Sequence, residues 1–328
     1  MIDPKVRART TAIAAAVIGL FVATAVIGYF NFGAVLAAIR PIGVSGFLAV
    51  VAAQLVLFVP LGLAWWLVAL DEAERGPLFI WGRLTREAAS DVLPFSQLGG
   101  LVISARAVVL GGVTTPVAFG SCVVDITVEV VAQLVYTLVG VWLLVHRLGV
   151  ASGHDRLLLS LLGGLAIAAA LVGGFIVMQR RGLDVIERLV HRMVPTAAHH
   201  ATAVTKVVEA AYGRPLRLWA CLGLHLVGWF GGAIGAWLIL YFIGHPLPFL
   251  SVVAIESLLF AIRNAAFVVP SGIGVQEGAY ALLGPIFGLP PEAALALSLL
   301  KRARDVVVGV PVLLSWQVAE SRRPLRGV

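Results

Sequence analysis

Residues 45–70 read SGFLAVVAAQLVLFVPLGLAWWLVAL, and no side chain in the run is ionisable. As a helix this run would extend about 39 Å, more than the roughly 30 Å hydrocarbon core of a bilayer. Mainly apolar runs at 11–38, 117–145, 157–178, 217–243 and 293–317 bring the expected full spans to six. Two further stretches, 92–114 and 251–289, are apolar but broken. Pro94, Gly99, Gly100 and Arg106 interrupt the first; Arg263, Pro270, Gly272, Gly274, Glu277 and Pro285 interrupt the second.

Composition says the same of the whole chain. Hydrophobic residues fill 60% of the 328 positions and charged residues only 12%, about half the usual share in soluble domains. So few charges cannot cover the core that such a chain would bury, so the expected solvent is lipid. The net charge of +7 is spread over short stretches between apolar runs. That pattern fits the positive-inside rule and not a basic face for nucleic acid. Cys122 and Cys221 sit in apolar runs with no CxxC pattern, so both read as small buried residues, with no metal or cofactor expected. The basic N-terminus and the long apolar run after it read as an uncleaved first helix.

Charge orients the spans. Lys5, Arg7 and Arg9 precede the first; Arg75, Arg83 and Arg86 lie in 71–91. Seven basic residues from Arg180 to Arg217 lie in 179–217, and Arg322, Arg323 and Arg326 close the chain. The positive-inside rule makes all four regions cytoplasmic, both termini included. Leu183, Ile186, Leu189, Val190 and Met193 within 179–217 suggest a short interfacial helix. Parity then requires 92–114 to enter and leave from the cytoplasm and 251–289 to enter and leave from outside. Each reads as a re-entrant helical hairpin, with a pair of short crossing helices as the alternative. The expectation is one all-α, polytopic integral membrane domain over 1–328, built as an inverted repeat of about 1–150 and 151–328. Asp125 follows Pro94 by 31 residues and Asp305 follows Pro270 by 35, in the span after each hairpin. Inverted repeats with broken helices are a transporter plan in which the substrate site lies at the repeat interface.

Five basic residues (Arg106, Arg263, Lys301, Arg302, Arg304) and five carboxylates (Asp125, Glu129, Glu256, Glu277, Asp305) fall inside the apolar segments. Each costs about 3 kcal/mol at the bilayer centre, so they should pair or line a wet cavity. Spacings of four put Asp125 with Glu129 and Lys301 with Asp305; Arg304 joins the latter face and Arg302 points elsewhere. Glu256 and Arg263 are two turns apart. Lys301 and Arg302 have snorkelling to the interface as an alternative.

The sharpest motif is Pro270-Ser271-Gly272-Ile273-Gly274-Val275-Gln276-Glu277-Gly278. A proline and three glycines cannot continue a helix. They reverse the chain, and the next helix starts near Gly274 with its amides facing inward. Such a terminus attracts an anion, or Glu277 caps it.

The run Arg263-Asn264-Ala265-Ala266-Phe267-Val268-Val269 followed by that motif resembles the signature of the lysylphosphatidylglycerol synthase transmembrane-region family, also called the flippase-like domain family. Its form, with Pro94-Phe95-Ser96-Gln97-Leu98-Gly99-Gly100, is most similar to the branch associated with hopanoid biosynthesis. Arg302 or Arg304 with Pro311 matches the family's closing Arg…Pro pattern. The resemblance covers essentially the whole chain. It implies a bacterial inner-membrane protein that moves or delivers lipids; the soluble aminoacyl-transfer domain of the full synthases has no counterpart here, so that activity is not expected.

Three functions follow. A lipid carrier, for hopanoid or anionic lipid, would hold the polar head among Arg106, Asp125, Glu129, Glu256, Arg263, Pro270, Gly272, Gly274, Gln276, Glu277, Lys301, Arg302, Arg304 and Asp305. A membrane-embedded lipid-modifying enzyme would use the same acids for proton transfer, but no HExxH, GxSxG or P-loop pattern occurs. A non-catalytic scaffold would bind lipid-synthesis enzymes. Membrane lipids are the expected partners.

Overall fold

The structure, a computed structural model, describes residues 39–69, 75–92, 96–148, 195–266 and 274–322. The described elements are helices and contain no strand. A short 3-10 turn, Arg40–Ile42, leads into α1, Gly43–Val68. Then come α2 (Gly76–Val92), α3 (Ser96–Leu110) and α4 (Thr115–Leu148). After α5 (Pro195–Tyr212) follow α6 (Pro215–Phe242), α7 (Phe249–Ala265), α8 (Val275–Ile286) and α9 (Pro291–Ser321).

Three of these are long and apolar enough to cross a bilayer: Arg40–Val68, Thr115–Arg147 and Pro215–Phe242. They coincide with the expected spans at 45–70, 117–145 and 217–243. The expected span at 293–317 is the helix α9, whose central Lys301, Arg302, Arg304 and Asp305 interrupt its apolar run. The expected spans at 11–38 and 157–178, and the expected interfacial helix around 183–193, lie outside the described residues. The later part of the 179–217 connection forms α5.

One expectation is corrected. Residues 71–91 read from sequence as a cytoplasmic loop, yet Gly76–Val92 is helix α2, packed against α1, α3 and α9. Arg83 and Arg86 are each only 4% exposed. Loop charge counting cannot distinguish a solvated arginine from one neutralised by a carboxylate elsewhere in the chain. The 92–114 stretch supplies a single helix, α3, and the helix pair is α2 with α3. The 251–289 stretch does form a pair, α7 with α8.

The packing has a regular plan. α1 lies against α2, α2 against α3, α3 against α4, and α1 against α4. The second quartet repeats every one of these contacts with α6, α7, α8 and α9 in place of α1 to α4. Between quartets, α1 packs on α6, α2 on α9 and α7 on α4. Small residues make the close approaches: a Cβ at Gly62 of α1 would collide with the Ile80 backbone of α2, and one at Gly140 of α4 with Ser257 of α7. Helix association in lipid uses such small residues because hydrophobic burial between helices gains little there.

Two large apolar clusters dominate the interior among the described residues. One joins α1 to α6 around Trp65 and Phe79, whose rings meet edge to face at 5.3 Å. Trp65 Nε1 donates to Ser121 Oγ at 2.9 Å, so the buried indole has its partner. The other joins α4 and α6 to α9 around Ile239, Leu259, Tyr280 and Leu297. Large apolar side chains also point outward, Val56 at 70% and Leu282 at 73% exposed, as a lipid-solvated surface requires.

Candidate functional site: a charged seam inside the bundle

The first network joins α2 to α4. Arg83 grips Glu129 with two parallel bonds, Nη1 to Oε2 at 2.8 Å and Nη2 to Oε1 at 2.6 Å. It also pairs with Glu87, one turn on, at 2.7 Å. Arg86 donates to Asp125 Oδ2 at 3.0 Å and to Glu129. The second Asp125 oxygen lies 2.9 Å from His225 Nε2 on α6. Asp125 and His225 are wholly buried. The spacing of four that placed Asp125 and Glu129 on one face is seen; the partners Arg83, Arg86 and His225 were missed. Their signal was the Arg-x-x-Arg spacing on an amphipathic stretch, which the loop assignment hid.

The second network joins α7, α8 and α9. Glu256 of α7 accepts from the Tyr280 hydroxyl and from Lys301 Nζ, and Lys301 also donates to Tyr280 Oη at 2.8 Å. Lys301 is 4% exposed, so it faces inward and does not snorkel. Glu277 caps α8: the Gly274 amide donates to its Oε2 at 2.8 Å. Gly274 itself has φ +81°, a left-handed conformation that glycine adopts without strain. Ser298 Oγ and Arg302 donate to the same carboxylate. The anion-binding terminus anticipated at Gly274 is thus occupied by the protein's own side chain. Gln276 donates to Ser298 Oγ at 3.0 Å and accepts from Arg263 Nη1 at 3.2 Å. Arg304 donates to Asp305 Oδ1 at 2.6 and 3.0 Å.

The two networks meet where helix ends converge. Arg263, near the end of α7, lies 3.9 Å from Asp91, near the end of α2. Arg106 stands apart: it makes a forked contact with Glu320 at the far end of α9, at 3.0 to 3.1 Å. Pro270 and Gly272 lie outside the described residues. The seam, Arg106 excluded, therefore holds Arg83, Arg86, Arg263, Lys301, Arg302 and Arg304 against Glu87, Asp91, Asp125, Glu129, Glu256, Glu277 and Asp305. Its charges nearly cancel. Such a seam keeps water-loving groups inside an apolar bundle by mutual pairing.

The helices place these charges at matching positions. Arg83 is the eighth residue of α2 and Glu256 the eighth of α7. Asp125 and Lys301 are each the eleventh residue of α4 and α9, and Glu129 and Asp305 each the fifteenth. In the first quartet a basic short helix faces an acidic long one. In the second, acidic Glu256 faces basic Lys301.

A family model described as the lysylphosphatidylglycerol synthase TM region matches residues 12–312. Neither a curated protein nor a solved structure matches the chain.

Proposed function

The chain belongs to the lysylphosphatidylglycerol synthase transmembrane-region family, and on that footing we propose that this membrane protein moves or delivers lipid across or between bacterial membranes. The observation that carries this reading is the seam: two quartets of equivalent packing bring the ends of α2 and α7 together through Asp91 and Arg263, inside an apolar helical bundle. A carrier needs a polar path for a head group bounded by helices that can exchange partners, while the tails stay in lipid. The paired charges supply that path, because a head group bearing both an anion and a donor can enter between two partners and leave neither unpaired. The equivalent quartets support an inverted repeat in which each helix pair is re-entrant from one face. We place the protein in the inner membrane with both termini cytoplasmic, from its flanking basic residues. The hopanoid branch fits the motif 263–278 and stays part of this proposal.

The test is reconstitution into vesicles with headgroup-labelled phospholipid or labelled hopanoid in one leaflet. Protein-dependent movement of lipid with unchanged mass is expected. Arg263→Gln should lower the rate severalfold at unchanged protein abundance. A new lipid product would establish an enzyme instead, and full cellular function of a folded Arg263→Gln protein would favour a scaffold.

A further inference from the structure

Where α4 and α6 cross, Asp125, Cys221 and His225 are all buried, and one ligand-type atom of each lies within 4.8 Å of the other two. Cys221 and His225 are four residues apart on α6, so one helical face presents both. His225 Nε2 and Asp125 Oδ1 are 2.9 Å apart. Adjacent ligand atoms about a tetrahedral ion with bonds of ~2 Å are roughly 3.3 Å apart; the His225–Asp125 pair stands near that spacing, and the Cys221 thiol, within 4.8 Å of both, draws in by at most about 1.5 Å. The other ring nitrogen, Nδ1, is buried and has no partner among the described residues. Buried polar atoms are almost always satisfied, so His225 is not a fully paired core histidine.

We propose that Asp125, Cys221 and His225 bind a first-row divalent transition-metal cation of the zinc class, tying α4 of the first quartet to α6 of the second. The donor chemistry selects the ion: thiolate and imidazole suit zinc and its neighbours, not magnesium or calcium. Charge also closes. Arg86 and Glu129 neutralise each other, and a thiolate with the Asp125 carboxylate neutralises a divalent ion. The thiol proton leaves to solvent when the metal enters, and the imidazole binds uncharged. Arg86 holds the second Asp125 oxygen at 3.0 Å, the outer contact that orients a carboxylate ligand.

The test uses the full chain in detergent, stripped with chelator and titrated with cobalt(II). One ion per chain is expected, with tetrahedral d–d bands and a thiolate charge-transfer band displaced by zinc. Cys221→Ser should abolish the charge-transfer band, and His225→Gln should weaken binding by at least about tenfold. An octahedral spectrum without charge transfer, or a titration unchanged in Cys221→Ser, overturns the proposal. Should either variant fail to fold, X-ray absorption at the zinc edge of the wild-type protein decides. A sulfur neighbour at about 2.3 Å supports the site; an all-oxygen shell refutes it.

Discussion

Lys301 shows what a buried charge demands of its neighbours. Its ammonium donates to Glu256 and Tyr280 and lies over the Phe260 ring, and Glu256 is 1% exposed. Removing one partner strands the other in a dry interior, at about 3–5 kcal/mol, whereas removing both together is often nearly neutral. Glu256→Gln should therefore lower the thermal midpoint of the purified protein sharply. Adding Lys301→Met to it should recover most of the loss; equal midpoints for the single and double variants would show that the pair is not buried as described. At this scale the sequence was half legible. Intrahelical spacing placed Asp125 with Glu129, because four residues make one face whatever lies opposite. It could not find Arg83 and Arg86, 46 and 39 residues away from their partners, because pairing across helices leaves no local trace.

Gly62 and Gly223 separate packing from propensity at the scale of the helix. A side chain at Gly62 would meet the Ile80 backbone, which no rotamer can move, whereas nothing lies within 4 Å of a Cβ at Gly223. Gly62→Val should separate α1 from α2 and cost about 1–3 kcal/mol. Gly223→Ala should change stability by no more than about 0.5 kcal/mol. Thermal unfolding of both variants in the same detergent measures the difference, and matched losses would remove the close approach from the account. Long uncharged runs made α1, α4 and α6 legible, since length and the absence of charge suffice to mark a helix that can cross lipid. α2 was not legible, because Glu87, Asp91 and two arginines give 71–91 the composition of a loop. Only the tertiary contacts of α2 reveal that its polar face is turned inward.

The two quartets repeat one contact plan, and the proposed inverted repeat makes a demand that the contact plan alone does not. Thr114 immediately precedes α4, and Pro290 immediately precedes α9, the equivalent long helix; both are exposed. Helix register matches Asp125 to Lys301 and Glu129 to Asp305, where the distances from Pro94 and Pro270 had matched Asp125 to Asp305. The repeated geometry reverses charge between Asp125 and Lys301 and keeps it between Glu129 and Asp305, so both halves hold an ionised face at the same position along the long helix. If the halves are related by an axis in the membrane plane, equivalent points lie on opposite faces. The proposed topology would have Thr114 at the cytoplasmic face and Pro290 outside. Single cysteines at these positions, Thr114→Cys and Pro290→Cys, can be read against the buried native Cys122 and Cys221. A membrane-impermeant maleimide should label Pro290→Cys in intact cells and Thr114→Cys only after the membrane is opened. Labelling of both from one face would make the repeat parallel. The α2–α3 and α7–α8 pairs would then open to the same side, and a carrier that alternates between faces by exchanging their roles would be excluded.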